Sequence, residues 1–326
     1  MKVAVTGAGS LLMSSIANAL IQRGDEAVCI QRRPVENLDC QQELVDIRDA
    51  DALRRATAGC DAVIHGAARV GIMGSSEDFR SVNVDGTNNV ITAAQHNNIS
   101  RMVFVSTPSV SHTGTSLVGA LADPAVIGRS HSHYAETKAR AEQLVLAANC
   151  SSLSTVALRP HLVWGPGDTQ LVGRIIERAS QGRLVMVGSG NALVDSTYID
   201  NAADAHIAAL DALHPGAPCA GNAYVIANGE PRTVNELMRG MCDAAGIAFA
   251  PKHVPLAIAT RLGTAIERVW PLIRKSEPPL TRFVAEQLGT AHWFDPRPAQ
   301  MDLAWSPSVT IDEGFQRLRN WCEAKK

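Results

Sequence analysis

The sequence predicts an α/β protein with a Rossmann-type, doubly wound parallel sheet and a smaller, mostly helical C-terminal substrate lobe. Three observations lead to this prediction. Residues 2–30 read as strand, glycine turn, helix and strand, which is the opening of a nucleotide-binding βαβ unit. Strand-length apolar runs then alternate with helix-length segments as far as residue 159. Beyond residue 165 the periodicity becomes mixed, as expected for a separate lobe.

Length and charge set the outer limits of the interpretation. The chain has 326 residues, of which 46% are hydrophobic, and a formal net charge of -2. This length supports one large domain or two smaller ones. We assign residues 1–165 to the nucleotide-binding Rossmann domain, to which 196–228 return, and 166–326 mainly to the substrate lobe. The near-neutral charge argues against nucleic-acid binding driven by bulk charge.

Cysteine usage and hydropathy indicate the cellular location. Seven cysteines occur singly, without a C-x-x-C pair, which predicts reduced thiols in a cytoplasmic protein. We predict no metal site. Because a strand-like run starts at residue 2, we expect no signal peptide. The chain contains no run of about 18 uncharged apolar residues, so we expect no membrane-spanning helix.

The glycine turn departs from the regular pattern of a phosphate site. The first strand, turn and helix are predicted over residues 2–6, 7–10 and 11–23. Such a turn directs helix amides at a pyrophosphate. A regular pattern starting at Gly7 would place glycines where the chain has Ser10 and Met13. Two interpretations stay open: a phosphate cradle whose helix is held further out by Met13, or a strand–turn–helix without a ligand.

Two arginines follow the second strand, which is predicted over residues 27–30. A site for an unphosphorylated ribose usually offers a carboxylate here, whereas an arginine suits a 2′-phosphate. Arg32 and Arg33 therefore favour NADP(H) over NAD(H), with a solvated loop pair as the alternative. Further on, Asp46 is placed either to accept a hydrogen bond from an adenine amino group or to cap a helix over 49–58.

The middle of the chain continues the alternation. Strands are predicted over residues 60–65 and 101–105, with a helix over 83–97 between them. Small residues after the fourth strand would let a cofactor approach the backbone, and His65 is interpreted as structural. The hydroxyl-rich residues 106–109 follow the fifth strand, at the edge where open α/β sheets bind ligands. We expect residues 111–133 to form a loop over this site.

Tyr134 and Lys138 lie four residues apart in a predicted helix over 134–148. This spacing places both side chains on one face. A lysine ammonium beside a phenol lowers a phenol pKa that is ordinarily about 10. The pair would then supply a proton donor and acceptor near neutral pH. The alternative is a surface helix that carries the two residues by chance.

The C-terminal half reads as mixed structure with a final amphipathic helix. Further elements are predicted as strands over 154–159, 195–200 and 223–227 and helices over 171–181 and 202–213. One helical stripe consists of Ile258, Leu262, Ile266, Val269 and Ile273. We interpret it as core packing, with a lid over a greasy substrate or a membrane-surface contact as alternatives.

The order and spacing of short motifs along nearly the whole chain resemble a known family. These motifs are residues 6–9, 46–47, 65–68, 83–87, 105–107, 134–138, 159–160, 165–168, 198–201 and 303–307. Together they resemble the extended short-chain dehydrogenases/reductases, in their 3β-hydroxysteroid dehydrogenase-like branch. A narrower resemblance is to the 2-alkyl-3-oxoalkanoate reductases of bacterial olefin and β-lactone biosynthesis. It is carried by residues 106–110, 156–168, 228–231, 277–283 and 290–294.

The resemblance implies a role for each residue of the predicted site. Tyr134 would be the acid/base, and Lys138 would lower its pKa and hold the nicotinamide ribose. Thr107 would hydrogen-bond the reacting oxygen, and Asn83 would support a proton relay through the lysine. The implied cofactor contacts are Gly7, Gly9, Ser10, Leu11, Leu12, Arg32, Arg33, Asp46, Ile47, Ala67, Tyr134, Lys138 and Pro160.

The implied activity is NADPH-dependent reduction of a hydrophobic β-keto acid, a 2-alkyl-3-oxoalkanoate, to the 3-hydroxy acid. One alternative is a 3β-hydroxysteroid or sterol-type dehydrogenase. Another is a sugar-nucleotide epimerase or dehydratase, with a diphosphate held by Arg174, Arg178, Arg183 and Arg232. A third, motivated by Ser10 and Met13, is a degenerate NADP-binding sensor or scaffold. A homodimer and assembly with pathway enzymes are further expectations.

Overall fold

The computed structural model describes residues 1–36, 38–71, 73–111, 115–128, 132–273 and 281–325, except the side chains of residues 268, 269, 271–273 and 283. Most of the sequence motif at 277–283 and the side chains at 269 and 273 of the predicted stripe therefore lie outside the described part of the chain.

The strands and helices are numbered separately in chain order. The strands are β1 (Lys2–Thr6), β2 (Glu26–Gln31), β3 (Gln41–Leu44), β4 (Ala62–His65), β5 (Arg101–Val105), β6 (Leu117–Ala120), β7 (Ser154–Pro160), β8 (Val163–Trp164), β9 (Val185–Val187), β10 (Leu193–Val194), β11 (Thr197–Tyr198), β12 (Ala223–Ile226), β13 (Arg232–Thr233), β14 (Lys252–Val254) and β15 (His292–Phe294). The helices are α1 (Leu11–Gln22), α2 (Ala50–Ala56), α3 (Ser76–Arg80), α4 (Gly86–His96), α5 (His133–Ala147), α6 (Val172–Ser180), α7 (Ile199–Ala212), α8 (Val234–Ala245), α9 (Leu256–Ile273), α10 (Arg282–Gly289), α11 (Arg297–Leu303) and α12 (Ile311–Ala324). A π-helical turn (Ser81–Asp85) precedes α4, and a short 3-10 turn (Pro108–Val110) follows β5.

A seven-stranded parallel sheet forms the centre of the N-terminal part, in the order β12-β7-β5-β4-β1-β2-β3. Its inner strands β1, β4 and β7 are mostly buried because helices cover both faces, whereas the edge strand β3 is polar and partly exposed. One face packs against α1, α7 and α11, and the other against α2, α4 and α5. This is the predicted Rossmann-type doubly wound architecture, and it brings the carboxyl ends of the strands to one edge.

The C-terminal lobe has its own core, in which α6, α8 and α12 pack around Trp164 and Tyr198. This confirms the predicted helical lobe. It also contains a small mixed sheet in the order β13-β10-β15-β6. The strand β6 comes from the segment between β5 and α5, so this sheet ties that segment to the lobe.

Two predicted elements are wrong in detail. Residues 111–133 are not only loop, because β6 pairs in parallel with β15. Residues 195–200 are not one strand: only Thr197–Tyr198 pairs with β8, and α7 begins at Ile199. From there the chain buries a helical face against α1, so the 3.6-residue period replaces strand alternation.

The division of the chain into two domains remains a prediction. Two facts bear on the segment 196–228, which was assigned to the N-terminal domain. The strand β12 pairs in parallel with β7 at the margin of the central sheet, and α7 packs against α1.

The predicted apolar stripe of α9 is not its buried face. Ile258 and Leu262 are 49% and 48% exposed, whereas Ala259 is fully buried. A Cβ on Gly263 would lie 2.5 Å from the backbone of Thr281. The helix therefore uses its small residues to pack closely against the start of α10. Ile266 is half-buried, but core packing does not explain Ile258 and Leu262.

Met13 packs against a glycine of a neighbouring strand rather than into the turn before α1. Its side chain is 1% exposed, and a Cβ on Gly66 would lie 2.2 Å from its Sδ and 2.7 Å from its Cγ. Gly66 directly follows β4, which pairs with β1. Gly66, which has no side chain, thus makes room for Met13, so close packing of the helix does not need a glycine at position 13. Met13 does not obstruct the turn.

We expect Gly66→Ala to lower the free energy of unfolding by about 1–3 kcal/mol, because the added methyl overpacks Met13. Met13→Ala should be destabilising through the lost burial. Adding Gly66→Ala to Met13→Ala should cost little more, since the clash is gone. Denaturant unfolding of the four proteins of this cycle measures the coupling, and additive effects would contradict the pairing.

Candidate active site

A cavity of about 770 Å³ runs along the carboxyl edge of the central sheet. Its lining follows the order of five adjacent strands, from β3 and β2 through β1 and β4 to β5. Arg32 and Arg33 lie towards one end, and Tyr134 and Lys138 towards the other. Polar groups from separate parts of the sequence thus meet in one elongated site, where open α/β sheets bind ligands.

The turn between β1 and α1 forms a cradle in the middle of the cavity. Gly7 has φ +82°, and a Cβ there would lie 2.8 Å from the Cα and N of Ala67. Only glycine permits this approach. Ser10 is the N-cap of α1 and accepts from the Met13 N–H at 3.4 Å. Since the first amides of a helix lack intrahelical partners, the cradle fits a phosphate.

The end of the cavity at β2 and β3 carries exposed positive charge. Arg32 and Arg33 are both exposed. Asp46 is half-buried and bound by Arg48 Nη2 at 2.7 Å, and this hydrogen bond lowers the pKa of its carboxyl. The interpretation of Asp46 as a helix cap is wrong, because Asp49 caps α2 and accepts from the Ala52 N–H at 2.9 Å.

Lys138 is buried at the other end, on the inner face of α5. Its Nζ donates to the Val105 carbonyl at 2.6 Å and lies 3.8 Å from the centre of the Phe104 ring. Burial lowers the pKa of Lys138 to about 7, against the opposing charge of Glu142. The ammonium is therefore directed at the end of β5 and titrates near neutrality.

Tyr134 lies one helical turn earlier, and its hydroxyl is hydrogen-bonded to that of Thr107. Loss of solvation raises the pKa of Tyr134 to about 12, while the Thr107 hydroxyl lowers it. The expectation that Lys138 depresses this pKa is wrong for this arrangement, because the ammonium is bound to the Val105 carbonyl. The phenol is thus protonated at neutral pH.

The two hydroxyls after β5 point to different partners. Ser106 Oγ donates to Glu142 Oε2 at 2.6 Å. Thr107 Oγ1 accepts from the Ser109 N–H at 3.3 Å and contacts the Tyr134 phenol. The structure therefore places Thr107, rather than Ser106, beside the proposed acid.

Asn83 is brought near the site but not to Lys138. It lies in the π-helical turn and donates to the Thr137 Oγ1 at 3.0 Å and to the Arg69 carbonyl at 3.1 Å. Its Oδ1 accepts from the Arg69 N–H at 2.7 Å. Such turns are frequent at functional sites. The relay role of Asn83 stays a prediction.

A buried ion pair that the sequence analysis missed holds α5 in place. Glu142 and Arg159 are each 1% exposed, and Arg159 Nη2 and Nε donate to the two carboxylate oxygens at 2.5 and 2.9 Å. Arg159 Nη1 also donates to the Asp123 carbonyl at 2.7 Å. The sequence did carry one signal for this pair. Glu142 lies four residues after Lys138, on the face that α5 buries.

Some predicted cofactor contacts do not line the cavity with their side chains. Leu11 packs towards the core of the C-terminal lobe. Leu12 packs against both that core and the core beneath α1, α7 and α11. Pro160 ends β7, opposite Ile226 of β12. Gly7, Gly9, Ser10, Arg32, Arg33, Asp46, Ile47 and Ala67 do line it, together with Tyr134 and Lys138.

His65 is a structural residue, as its position in the sequence suggested. Its ring nitrogens lie 2.6 Å from Thr6 Oγ1 and 3.0 Å from Thr87 Oγ1. Burial, and secondarily the charge of Lys138, lowers the pKa of His65 to about 3. The ring therefore stays neutral and links β1, β4 and α4.

Neither a metal centre nor a membrane span is found in the part of the chain that the structure describes. There, no three His, Cys, Asp or Glu side chains cluster closely enough to hold a metal ion. None of the described helices is both long and apolar enough to cross a bilayer.

Comparison with known proteins gives consistent matches. The profile of the 3-beta hydroxysteroid dehydrogenase/isomerase family matches residues 4–257. The chain is 48% identical to a 2-alkyl-3-oxoalkanoate reductase of Stenotrophomonas maltophilia, covering 98% of both chains. It is 38% identical to the enzyme of that name from Shewanella oneidensis, covering 97% of this chain and 84% of the relative. Among solved structures, the UDP-glucose 4-epimerase of Thermus thermophilus has a TM-score of 0.71 at 24% identity and full coverage of both chains, which shows the shared fold.

The low pKa of Lys138 predicts a pH-dependent stability. Its folded-state pKa of about 7 lies below the unfolded value of about 10.4, so the unfolded chain binds more protons between these values. The destabilisation caused by burying the ammonium has its full value below pH 7. It disappears as the pH rises to about 10.5. We expect the difference in unfolding free energy between Lys138→Met and wild type to fall by about 1.4 kcal/mol per pH unit across this window. Denaturant unfolding at a series of pH values measures it, and a constant difference would contradict the assignment.

Proposed function

The chain belongs to the 3-beta hydroxysteroid dehydrogenase/isomerase family of oxidoreductases, and on that basis we propose that it is an NADPH-dependent ketoreductase. Its substrate in this proposal is a 2-alkyl-3-oxoalkanoate, and its product is the corresponding 3-hydroxy acid. The observation that carries the proposal is the hydrogen-bonded pair of Thr107 and Tyr134 beside Lys138, at one end of the cavity that runs to Arg32 and Arg33. The 48% identity to a reductase of that name supports the choice of substrate.

The cofactor would supply the hydride, and the side chains of the site would supply and transfer the proton. A bound nicotinamide supplies the hydride that reduces the ketone carbon. Tyr134 donates its proton to the carbonyl oxygen, on which negative charge develops, and Thr107 hydrogen-bonds the same oxygen. Lys138 titrates near neutral pH, so it can return a proton after the transfer.

The high phenol pKa suits the direction of ketone reduction. At neutral pH Tyr134 is protonated and ready to donate. The neighbouring His65 is neutral at that pH, so it adds no competing charge. The buried network thus leaves Lys138 as the group that titrates closest to pH 7 beside the phenol.

Exposed apolar side chains after two strands of the central sheet support an apolar substrate. Val70 follows β4 and lines the cavity, and Leu162 follows β7. Their exposed fractions are 68 and 37%. Both belong to segments that leave the carboxyl edge of the sheet, where a substrate would meet Tyr134.

Two of the rival functions receive less support. Arg232, one of the four candidate diphosphate anchors, is paired with Asp312 at 3.2 Å and with Glu230 at 3.6 Å. Its charge is therefore compensated within the protein. A degenerate sensor is disfavoured because Thr107 and Tyr134 lie together and Met13 packs away from the turn after β1.

The preference for NADPH over NADH rests on the charge beside β2. Arg32 and Arg33 line the cavity and are exposed, whereas the nearby Asp46 carboxylate is bound by Arg48. Two cations suit a 2′-phosphate.

We expect Tyr134→Phe to lower turnover about 10²–10⁴-fold, because the proton donor is lost. The dissociation constant for NADPH should stay nearly unchanged. Steady-state kinetics with a 2-alkyl-3-oxoalkanoate and a fluorescence titration with NADPH give the two values. Tyr224→Phe, which removes a phenol bound to Asp302 instead, is the matched control. Retained turnover in Tyr134→Phe would remove this residue as the acid.

The double variant Arg32→Ala/Arg33→Ala should weaken NADPH binding about tenfold or more, because charge-assisted bonds to the 2′-phosphate are lost. NADH binding should change little. Fluorescence titration with each cofactor measures the ratio, and Arg319→Ala, an exposed arginine on α12, is the control. An equal loss for both cofactors would contradict recognition of the 2′-phosphate.

A further inference from the structure

Leu162 holds a backbone conformation that a leucine adopts only at a cost. Its φ is +43°, in the left-handed region. Among the described residues other than glycine, only Asn98 and Ala304 share a positive φ. Asparagine tolerates this region, and Ala304 carries only a methyl group at the end of α11. Of these three residues, Leu162 is thus the one with a large, branched apolar side chain.

The position of Leu162 relates it directly to the reacting groups. The strands β5 and β7 are parallel neighbours in which Val105 pairs with Leu158. Continuing this register places Thr107 beside Pro160, and Leu162 lies two residues further on. The strained residue therefore follows the strand end that borders the hydroxyl of Thr107.

The backbone on both sides of Leu162 is fixed. The His161 N–H donates to the Ile226 carbonyl at 2.9 Å, and the Leu162 carbonyl accepts from the Thr197 N–H at 3.3 Å. These bonds explain how the left-handed conformation persists. They involve main-chain atoms only, so they do not require a leucine side chain.

Leu162 is also the one exposed residue between Arg159 and Trp164, where the other residues are buried or half-buried. Its exposed fraction is 37%, whereas those of Arg159, His161 and Trp164 are 1, 6 and 0%. If the turn alone were needed, asparagine or glycine would form it with less strain. If apolar burial were needed, the side chain would be covered. Strain that folding does not explain concentrates at functional sites.

We propose that Leu162 is a specificity-determining residue that contacts the apolar chain of the substrate next to the reacting ketone. This inference rests on the proposed function. The turn after β7 presents the leucine two residues beyond the position that lies beside Thr107, and burial of its side chain against an alkyl chain is completed when the substrate binds.

The test measures stability and chain selectivity in the same variants. Leu162→Asn relieves the backbone strain and removes the apolar contact, so its melting temperature should rise by about 1–3 °C. Its kcat/KM for oxidation of a long-chain 2-alkyl-3-hydroxyalkanoate with NADP⁺ should fall about tenfold. The fall for 3-hydroxybutanoate should be at most about twofold. The alcohols are used because 3-oxo acids lose carbon dioxide slowly in water, which would disturb a comparison of small rate differences between two substrates.

Two further variants separate strain from contact. Ala304→Asn relieves a similar φ of +50° away from the cavity, so it should raise the melting temperature without changing either kcat/KM. Leu162→Met keeps an apolar side chain and should recover most of the long-chain activity that Leu162→Asn loses. Equal losses on both alcohols, or a melting temperature that falls together with activity in Leu162→Asn, would overturn the inference. If wild type oxidises neither alcohol with NADP⁺ or NAD⁺, the proposed function fails and the inference with it.

Discussion

The buried ion pair between Glu142 and Arg159 is the interaction on which the site depends. It joins the inner face of α5 to β7 through two hydrogen bonds, and Glu142 also accepts from Ser106 at the end of β5. Removing one partner would leave the other charge buried, which typically costs about 3–5 kcal/mol. Because Tyr134 and Lys138 share that face of α5, the same pair fixes both against Thr107 and Val105. Through the Asp123 carbonyl, Arg159 extends this hold to the segment between β5 and α5.

The charges around this pair are arranged so that few groups titrate near neutral pH. Glu142 is matched by Arg159, and His65 is held neutral by burial between two threonines. Lys138 then bears the cost of desolvation, while the carbonyl of Val105 retains its ammonium at the strand end. The result is a protonated phenol beside a lysine that changes charge near pH 7. Away from this polar end, the cavity passes the glycine turn before α1 and ends at two exposed arginines.

The parts of the site that were predictable from the sequence rest on local spacing. Each of these features involves only a few consecutive residues. They are the helical offset between Tyr134 and Lys138, the glycine at position 7 and the arginines after β2. The parts that were not predictable join distant positions. Gly66 accommodates Met13 across two elements, and Arg159 completes Glu142 from a neighbouring strand. Spacing also could not show that the Lys138 ammonium binds Val105 instead of depressing the phenol pKa, nor could any pattern show the backbone conformation of Leu162.

Transfer of deuterium tests the central claim, which is that this site reduces a ketone by hydride from a nicotinamide. Wild-type protein is incubated with a 2-alkyl-3-oxoalkanoate and NADPH that carries deuterium at C4 on one or the other face, and the product is examined by mass spectrometry. We expect one deuterium at C3 of the 3-hydroxy acid from only one of the two labelled cofactors. Product without deuterium from either cofactor, or a ketone left unchanged while the protein binds NADPH, would contradict it.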